Sequence, residues 1–164
     1  MPDRAVEITQ AGGRAIVQLR AWGEELAPAS LVPAGLGGQV RVVSFGPGEW
    51  LMVSEVIDAS QLVDRVTQHV RPGLIAIVDV SCALKVIEVR GPAAVDVLSK
   101  SCGLDLHPQI FPAGRCTRTR LAQLPIIIDC RDPEPRFDLY VGRSYVDWLN
   151  SWLFDAAAGR GAVE

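Results

Sequence analysis

Val17-Gln-Leu-Arg20 and Ile87-Glu-Val-Arg90 share one alternation of apolar and polar residues, and they stand at equivalent places in two similar halves of the chain. Trp50-Leu-Met-Val53 and Asp138-Leu-Tyr-Val141 form a second pair, and a segment with helical periodicity follows each of them. Both halves therefore read strand, helix or loop, strands, helix, and the second half carries Pro125–Asp129 as an extra strand. This order predicts an α+β fold of two duplicated strand-helix-strands-helix units, with sheets covered by two or three helices. Because short apolar strands also occur in pairs in unrelated folds, the repeat alone leaves the duplication a hypothesis.

Length and composition favour one domain. The chain has 164 residues, of which 49% are hydrophobic and 21% charged. Such a chain buries a sizeable core without disulfides or metal ions. We therefore expect a single domain over residues 1–164, with a core at 5–156, related halves at 5–73 and 74–156, and a flexible tail at 157–164.

Several elements follow from apolar periodicity. Asp58 with Gln61 predicts the start of a helix that Arg71-Pro-Gly73 stops, and Ser144 with Asp147 predicts the start of another. The last helix should present one apolar face, made of Tyr145, Trp148, Leu149, Trp152 and Leu153. Leu74–Val80 is predicted as a central strand, because its apolar run is continuous. A helical turn is expected at Glu24 to Leu26, and the other predicted strands are Ala15–Arg20, Val40–Phe45, Trp50–Val53, Lys85–Arg90, Arg115–Ala122, Pro125–Asp129 and Phe137–Val141.

Charge and hydropathy exclude several classes of partner. The net charge of −3 provides no field that would attract nucleic acid or an anionic membrane. The longest apolar runs, Leu74 to Val78 and Leu124 to Ile128, are far shorter than the roughly 20 residues that span a bilayer. No secretory pattern follows Met1, so we expect a cytoplasmic protein with reduced thiols.

The sequence contains no clear catalytic or cofactor motif. It has no glycine-rich dinucleotide or phosphate loop, and its four cysteines are too far apart in sequence for a short zinc-binding loop. His107 beside Asp105 could act as a general base oriented by a carboxylate, but a loop role is the better interpretation. Cys82 and Cys130 are expected to be buried. We predict no catalytic, cofactor-binding or metal-binding residue.

A cluster of arginines is the most unusual polar feature. Arg115, Arg118 and Arg120 surround Cys116, whose thiolate a neighbouring cation would stabilise. Arg118 and Arg120 are two residues apart on a predicted strand, so both project from one face. They form a candidate interface for a carboxylate, a phosphate or an acidic partner, and the alternative is an ordinary solvated strand face.

The motifs of the second half, with one from the first, resemble a known family. In chain order they are Gly46-Pro-Gly-Glu-Trp-Leu51, Val78-Asp-Val-Ser81, Val89-Arg-Gly-Pro92, Leu98-Ser-Lys-Ser-Cys-Gly-Leu-Asp-Leu-His-Pro108, Phe111-Pro-Ala-Gly-Arg-Cys116, Phe137-Asp-Leu-Tyr-Val141, Arg143-Ser-Tyr145 and Trp148 to Leu153. Over residues 40–155 the chain resembles the gamma subunits of bacterial heterotetrameric sarcosine oxidase. That family is similar in turn to the folate-binding domain of the glycine-cleavage aminomethyltransferases, whose fold is duplicated.

The resemblance implies a role in a multisubunit enzyme. The complex demethylates sarcosine with oxygen, giving glycine and hydrogen peroxide, with formaldehyde or methylene-tetrahydrofolate as the one-carbon product. The resemblance implies alpha, beta and delta subunits as partners, and it assigns FAD, FMN, NAD and tetrahydrofolate to those subunits. This division agrees with the missing dinucleotide motif.

The resemblance transfers no catalytic residue. Related iron–sulfur repair proteins carry Lys-Gly-Cys-x-x-Gly-Gln, from which Lys100-Ser-Cys-Gly103 departs. The first hypothesis is therefore a non-catalytic assembly subunit that is inactive when isolated. The alternatives are a folate-binding one-carbon-transfer protein and a free-standing protein with a reactive Cys116.

Overall fold

The computed structural model describes residues 6–22, 26–70, 73 and 75–159, and most of them lie in nine strands and three α-helices. The strands are β1 Glu7–Ala11, β2 Ala15–Ala21, β3 Arg41–Gly46, β4 Glu49–Ser54, β5 Ile75–Asp79, β6 Leu84–Arg90, β7 Cys116–Leu121, β8 Leu124–Asp132 and β9 Arg136–Gly142. The helices are α1 Ala59–His69, α2 Ala94–Ser99 and α3 Val146–Ala157, with 3-10 turns at Pro28–Leu31 and Arg143–Tyr145. Within these ranges no helix combines the length and the apolar composition needed to cross a membrane.

The chain divides into two compact units. The first unit is Gly13–Leu84, and the second combines Met1–Gly12 with Lys85–Glu164. The first unit holds a four-stranded sheet in the order β3-β4-β2-β5, and α1 packs on β2 and β5. The core of this unit includes Leu19, Leu62 and Val66.

The second unit holds a five-stranded sheet in the order β1-β6-β9-β8-β7. α3 packs on β1 and on α2. Its core joins the buried face of α3, including Leu149 and Leu153, with Ile128 and Leu139 of the sheet.

The two sheets confirm the duplicated α+β architecture. The order β3-β4-β2-β5 in the first sheet corresponds to β8-β9-β6-β1 in the second. In each half a helix follows the equivalent strand after a short connection: α1 follows β4, and α3 follows β9. Each half contributes its first strand to the sheet of the other half, because β1 pairs with β6 while β5 pairs with β2. For this reason the compact units have other boundaries than the predicted halves 5–73 and 74–156.

Within the part of the chain that the structure describes, β7 is the strand without a counterpart in the first unit. The sequence instead assigns Pro125–Asp129 as the extra strand of the second half, and this is wrong. Those residues belong to β8, which pairs with β9 as β3 pairs with β4. A sequence pattern identifies strands but does not say which neighbour each one pairs with.

Two further local predictions differ from the structure. The predicted strand Leu74–Val80 overlaps β5, Ile75–Asp79, which is an edge strand and not a central one, because β2 is its only strand partner among the described residues. The Ser144 and Asp147 cap is not formed, since α3 begins at Val146 after a 3-10 turn without a side-chain cap. By contrast, Asp58 does cap α1, where its carboxylate accepts a hydrogen bond from the Gln61 backbone nitrogen.

The hairpin between β3 and β4 requires glycine. Gly48 has a φ of +66°, and a Cβ added there would lie 2.5 Å from the carbonyl oxygen of Ala21. The Gly48 carbonyl in turn accepts a hydrogen bond from the Ala21 nitrogen at 2.9 Å. Only glycine fits both the backbone conformation and the close approach.

Some predictions fall outside the described residues. These are most of the helical turn at Glu24 to Leu26, the helix stop at Arg71 and Pro72, and the end of the tail at 160–164. The flexible tail therefore stays a prediction, although Ala157 belongs to α3. The prediction of a single domain also stays a prediction.

Candidate interaction surface

Two of the predicted arginines lie together on an edge strand. β7 is the last strand of its sheet, and Arg118 and Arg120 are exposed on it while Leu121 is buried. Cys116 shares their side of the strand, because side chains alternate between the two faces. The structure thus presents the two guanidinium groups on one face, as the spacing predicts, and their role as an interface stays a prediction.

Arg115 makes a different set of contacts. It precedes β7, and its guanidinium carbon lies 5.9 Å from the centre of the Phe111 ring. Its Nη1 donates a hydrogen bond to the carbonyl oxygen of Ile110 at 2.9 Å. Arg115 therefore stabilises the loop before the strand as well as adding positive charge beside the arginine pair.

The far end of β7 is held by a tight turn. Leu121 pairs with Leu124, and between them Ala122 and Gln123 have φ values of 49° and 69°. These values match a two-residue hairpin in which both central residues are left-handed. Cys102 also forms a bridge with Leu121, so this end of the strand is covered.

His107 is not arranged as a general base. The Asp105 carboxylate accepts a hydrogen bond from the backbone nitrogen of His107 at 2.9 Å and not from its ring. The ring Nδ1 accepts a 3.3 Å hydrogen bond from the backbone nitrogen of Gln109. Both side chains thus shape a loop, in agreement with the favoured interpretation of the sequence.

The cysteines have different environments. Cys102 and Cys130 are buried, Cys116 is half-buried, and Cys82 is exposed. The prediction that Cys82 is buried is therefore wrong, because it lies in the turn between β5 and β6. In the part of the chain that the structure describes, no group of three or more histidine, cysteine or acidic residues could hold a metal ion.

A charged cleft of ≈ 1010 Å³ lies in the second unit. Two arginines line it, and both form ion pairs. Arg90 donates to both carboxylate oxygens of Glu7, and this hydrogen bond raises the pKa of Arg90 above its usual value. Arg136 lies 3.2 Å from Glu88 and 3.6 Å from Asp132. These cations are neutralised by the protein itself.

A smaller apolar cavity of ≈ 250 Å³ borders the loop between α2 and β7. Leu106, Pro108, Phe111 and Pro112 of that loop line it together with Phe137. The Asp-Leu-His-Pro and Phe-Pro-Ala-Gly-Arg-Cys motifs thus build a packed loop around this cavity.

Sequence reasoning missed a buried acidic pair. Asp129 and Asp138 are register partners on β8 and β9 and are 1% and 0% exposed. Arg131 donates to the Oδ2 atom of Asp138 at 2.6 Å. The only sequence signal is that each acid stands within or at the end of an otherwise apolar segment.

Sequence reasoning also placed two aromatic residues wrongly. Tyr145 and Trp148 share their spacing with core residues, but they are 46% and 52% exposed. Leu149, Trp152 and Leu153 are buried as predicted. The predicted face treats Tyr145 as part of the helix, whereas it lies in the 3-10 turn that precedes α3.

Comparison with known proteins gives consistent results. The model of the sarcosine oxidase, gamma subunit family matches residues 9–159. The gamma subunit of Corynebacterium sp. strain U-96 is 33% identical over 141 residues, which are 81% of this chain and 66% of that protein. The gamma subunit of Corynebacterium sp. strain P-1 is 32% identical, with 90% and 75% covered. A third, from Arthrobacter sp., is 32% identical, and the match spans 59% of its length.

Solved structures show the same relationship. A chain of the heterotetrameric sarcosine oxidase of Corynebacterium sp. U-96, solved with pyrrole 2-carboxylate, matches with a TM-score of 0.81 and 29% identity, covering 100% of this chain and 89% of that one. The glycine cleavage aminomethyltransferase T of Bartonella henselae matches with a TM-score of 0.64 and 13% identity, covering 99% and 48%. The second match shows a shared fold alone. This chain therefore belongs to the sarcosine oxidase gamma subunit family.

Proposed function

We propose that this chain is a non-catalytic assembly subunit of a bacterial heterotetrameric sarcosine oxidase. The complex would oxidise sarcosine to glycine and hydrogen peroxide, and would release formaldehyde or methylene-tetrahydrofolate. The observation that carries the proposal is the structural match, over the whole of this chain, to a chain of a heterotetrameric sarcosine oxidase. Family membership supports it.

The partners in this proposal are the alpha, beta and delta subunits. They would bind FAD, FMN, NAD and tetrahydrofolate, and the complex would work in the cytoplasm. The contacts of the polar groups support a structural role for this chain. Asp105 and His107 bond within their own loop, and Arg90 and Arg136 pair with acids of the same unit.

Arg118 and Arg120 are the proposed polar contact with a partner, with Arg115 beside them. Arg118 and Arg120 lie on β7, a strand with no counterpart among the described residues of the first unit. A strand added to one edge of a duplicated sheet is available for a role that the fold itself does not require. Arginine suits such a role because its planar fork binds carboxylates with two hydrogen bonds.

Co-expression tests the proposal. The tagged chain is produced with the other three subunits of its host's sarcosine oxidase, and the purified material is assayed for hydrogen peroxide production from sarcosine. We expect all four chains to co-purify as an active complex. The chain purified alone should be colourless and inactive. Flavin bound stoichiometrically to the isolated chain, or a complex that assembles fully without it, would contradict the proposal.

A folate-binding one-carbon-transfer protein is the second candidate, and the shared fold with an aminomethyltransferase is what favours it. Titration of the isolated chain with tetrahydrofolate separates the two. Saturable binding at micromolar concentration, which corresponds to about 8 kcal/mol, would favour the second candidate. We expect no saturation in that range.

A further inference from the structure

We propose that the free edge of β5 binds a second copy of this chain, so that two β5 strands pair antiparallel about a two-fold axis at Ile77. The contact would join the four-stranded sheets of the two copies into one continuous sheet. This inference goes beyond the proposed function and does not depend on it. It concerns a different sheet from the one that carries the arginine pair.

The first observation is an open row of backbone groups. Just after β5, the Val80 nitrogen donates to a carbonyl of β2 at 2.9 Å. Because the hydrogen-bonding direction alternates along a strand, the N–H and C=O groups of Ile75, Ile77 and Asp79 point away from β2. In the order β3-β4-β2-β5, β5 has no second strand neighbour among the described residues. These groups therefore form an edge to which another strand can be added.

The second observation is that β5 lacks the protection of the other edge strands. Proteins block such edges with charged residues, proline, irregular pairing or a covering segment. β7 carries Arg118 and Arg120, β1 begins with Glu7, and the pairing of β3 with β4 is irregular. β5 pairs regularly and contains neither proline nor a basic residue, and its one charged residue, Asp79, stands at its end. Among the edges of the two described sheets, β5 is thus the most open to strand addition.

The third observation is an exposed apolar pair on this strand. Val78 is 52% exposed, and Ala76 on the same face is half-buried. In an antiparallel pair centred on Ile77, each Ala76 stands directly opposite the Val78 of the other copy, where cross-strand side chains lie closest. The same register pairs the backbone of Ile77 with its own copy, and that of Ile75 with Asp79. Every outward N–H then faces an outward C=O.

Charge does not oppose the two-fold arrangement. Only groups near the axis meet their own copies, and the strand residues beside it are apolar. With strands about 4.8 Å apart and a rise of about 3.3 Å per residue, Asp79 would lie about 14 Å from its copy and Arg20 of β2 about 16 Å. Both distances exceed the screening length of about 10 Å at 0.1 M salt. Arg20 also pairs with Glu49 of its own chain at 3.8 Å, and on α1 the exposed Asp64 stands beside Arg65.

Self-complementarity favours a second copy over a different chain as the occupant. A two-fold contact uses the same residues on both sides, and β5 provides both the hydrogen-bonding edge and the matching apolar pair. The edge is only five residues long, so the interface belongs to the small and reversible class.

Sedimentation equilibrium of the purified full-length chain, at concentrations from about 5 to 500 µM, tests the inference. We expect a reversible dimer with a Kd of about 10–100 µM. Val78→Lys places a charge on the edge and should weaken the dimer at least about tenfold. Val56→Lys is the matched control, because Val56 is 73% exposed in the loop between β4 and α1 and should leave the Kd unchanged. Both variants should unfold thermally like the parent chain.

Amide hydrogen exchange separates strand pairing from contact between side chains alone. The N–H groups of Ala76 and Val78 face β2 and should exchange slowly at every concentration, whereas that of Ile77 should exchange rapidly in the monomer. At concentrations that form the dimer, exchange at Ile77 should slow several-fold while its two neighbours change little.

Three results would overturn the inference. The first is a parent chain that stays monomeric over the whole concentration range. The second is a dimer that Val78→Lys and Val56→Lys leave equally intact, or one in which exchange at Ile77 does not slow, because the contact then lies elsewhere. The third is a monomeric chain whose Val78→Lys variant alone fails to co-purify with the other subunits, because the occupant would then be a different chain. Co-purification of the parent chain is judged separately, so failure of the proposed function remains distinguishable.

Discussion

Asp129 and Asp138 stand opposite each other on β8 and β9, and both carboxyl groups are buried. Two carboxylates directly across a strand pair oppose pairing, and a neighbouring cation lowers that cost. The register of β8 and β9 shifts between Cys130 and Asp132, which makes Arg131 the irregular residue of the strand. Arg131 stands two residues after Asp129, and its Nη1 lies 2.6 Å from the Oδ2 atom of Asp138.

Arg131→Met should therefore destabilise the protein. The variant removes a charge-assisted hydrogen bond to a fully buried carboxylate, and we expect the free energy of unfolding to fall by about 1.5–3 kcal/mol. Urea unfolding measures the change. Arg90→Met is the control, because it breaks an ion pair with Glu7 whose side chains are 52% and 57% exposed, and such pairs contribute little. An equal fall in the free energy of unfolding for Arg131→Met and Arg90→Met would show that burial of Asp138 does not strengthen its ion pair.

Gln123→Gly should stabilise the protein. Gln123 is exposed and has a φ of 69° in the turn between β7 and β8. The left-handed conformation is costly for a residue with a Cβ, and this strain exceeds the extra chain entropy of glycine by about 0.5–1 kcal/mol. Thermal unfolding should show a higher midpoint. A lower midpoint would mean that the glutamine side chain itself stabilises the turn.

Trp152→Ala should have a large effect on the isolated chain. Trp152 belongs to the core cluster of the second unit, and replacing a buried tryptophan by alanine costs about 3–5 kcal/mol. Denaturant unfolding of the isolated protein measures it. Unchanged stability would place Trp152 outside the core and would assign its whole role to subunit contact.

Apolar periodicity was sufficient to predict most of the elements but not their environment. The pattern of β5 is that of a central strand because α1 packs on it, yet no periodicity can show which strand edges form hydrogen bonds. Trp148 has the spacing of a core residue, but α3 already fills its core with Leu149 and Leu153.

The candidate sites were predictable to different degrees. Side chains that share a strand face can be recognised from a two-residue spacing, so the pair of Arg118 and Arg120 was found. The burial of Asp138 could not be recognised in this way, because it depends on how β9 packs and on Arg131, a hydrogen-bond partner seven residues away along the chain.

The N-cap of α1 should make stability depend on pH. The hydrogen bond from the Gln61 nitrogen, and then that from the Ser60 hydroxyl, hold the pKa of Asp58 below its usual value of 3.8. A carboxyl whose pKa is lowered by folding contributes stability above its unfolded pKa, and that contribution is lost as the pH falls through the folded pKa. Asp58→Asn keeps a capping oxygen but does not titrate. Any excess of the parent chain's unfolding midpoint over that of Asp58→Asn should therefore shrink or reverse on going from pH 6 to pH 2.5. A constant difference over this range would show that Asp58 does not contribute to acid sensitivity.

The arginine pair on β7 gives a direct test of the proposed assembly role. Arg118→Glu with Arg120→Glu reverses two exposed charges, and surface changes of this kind usually alter the free energy of unfolding by less than about 0.5 kcal/mol each. We expect the isolated double variant to unfold like the parent chain. Association with the other subunits should weaken, most strongly at low salt, because ions screen charges that lie near solvent. Arg65→Glu, which makes the same charge change on the exposed side of α1, is the control and should assemble normally. Co-purification and hydrogen peroxide production at two salt concentrations measure the effect. If the double variant assembles like the parent at both, Arg118 and Arg120 are an ordinary solvated strand face, and the contact lies elsewhere on the chain.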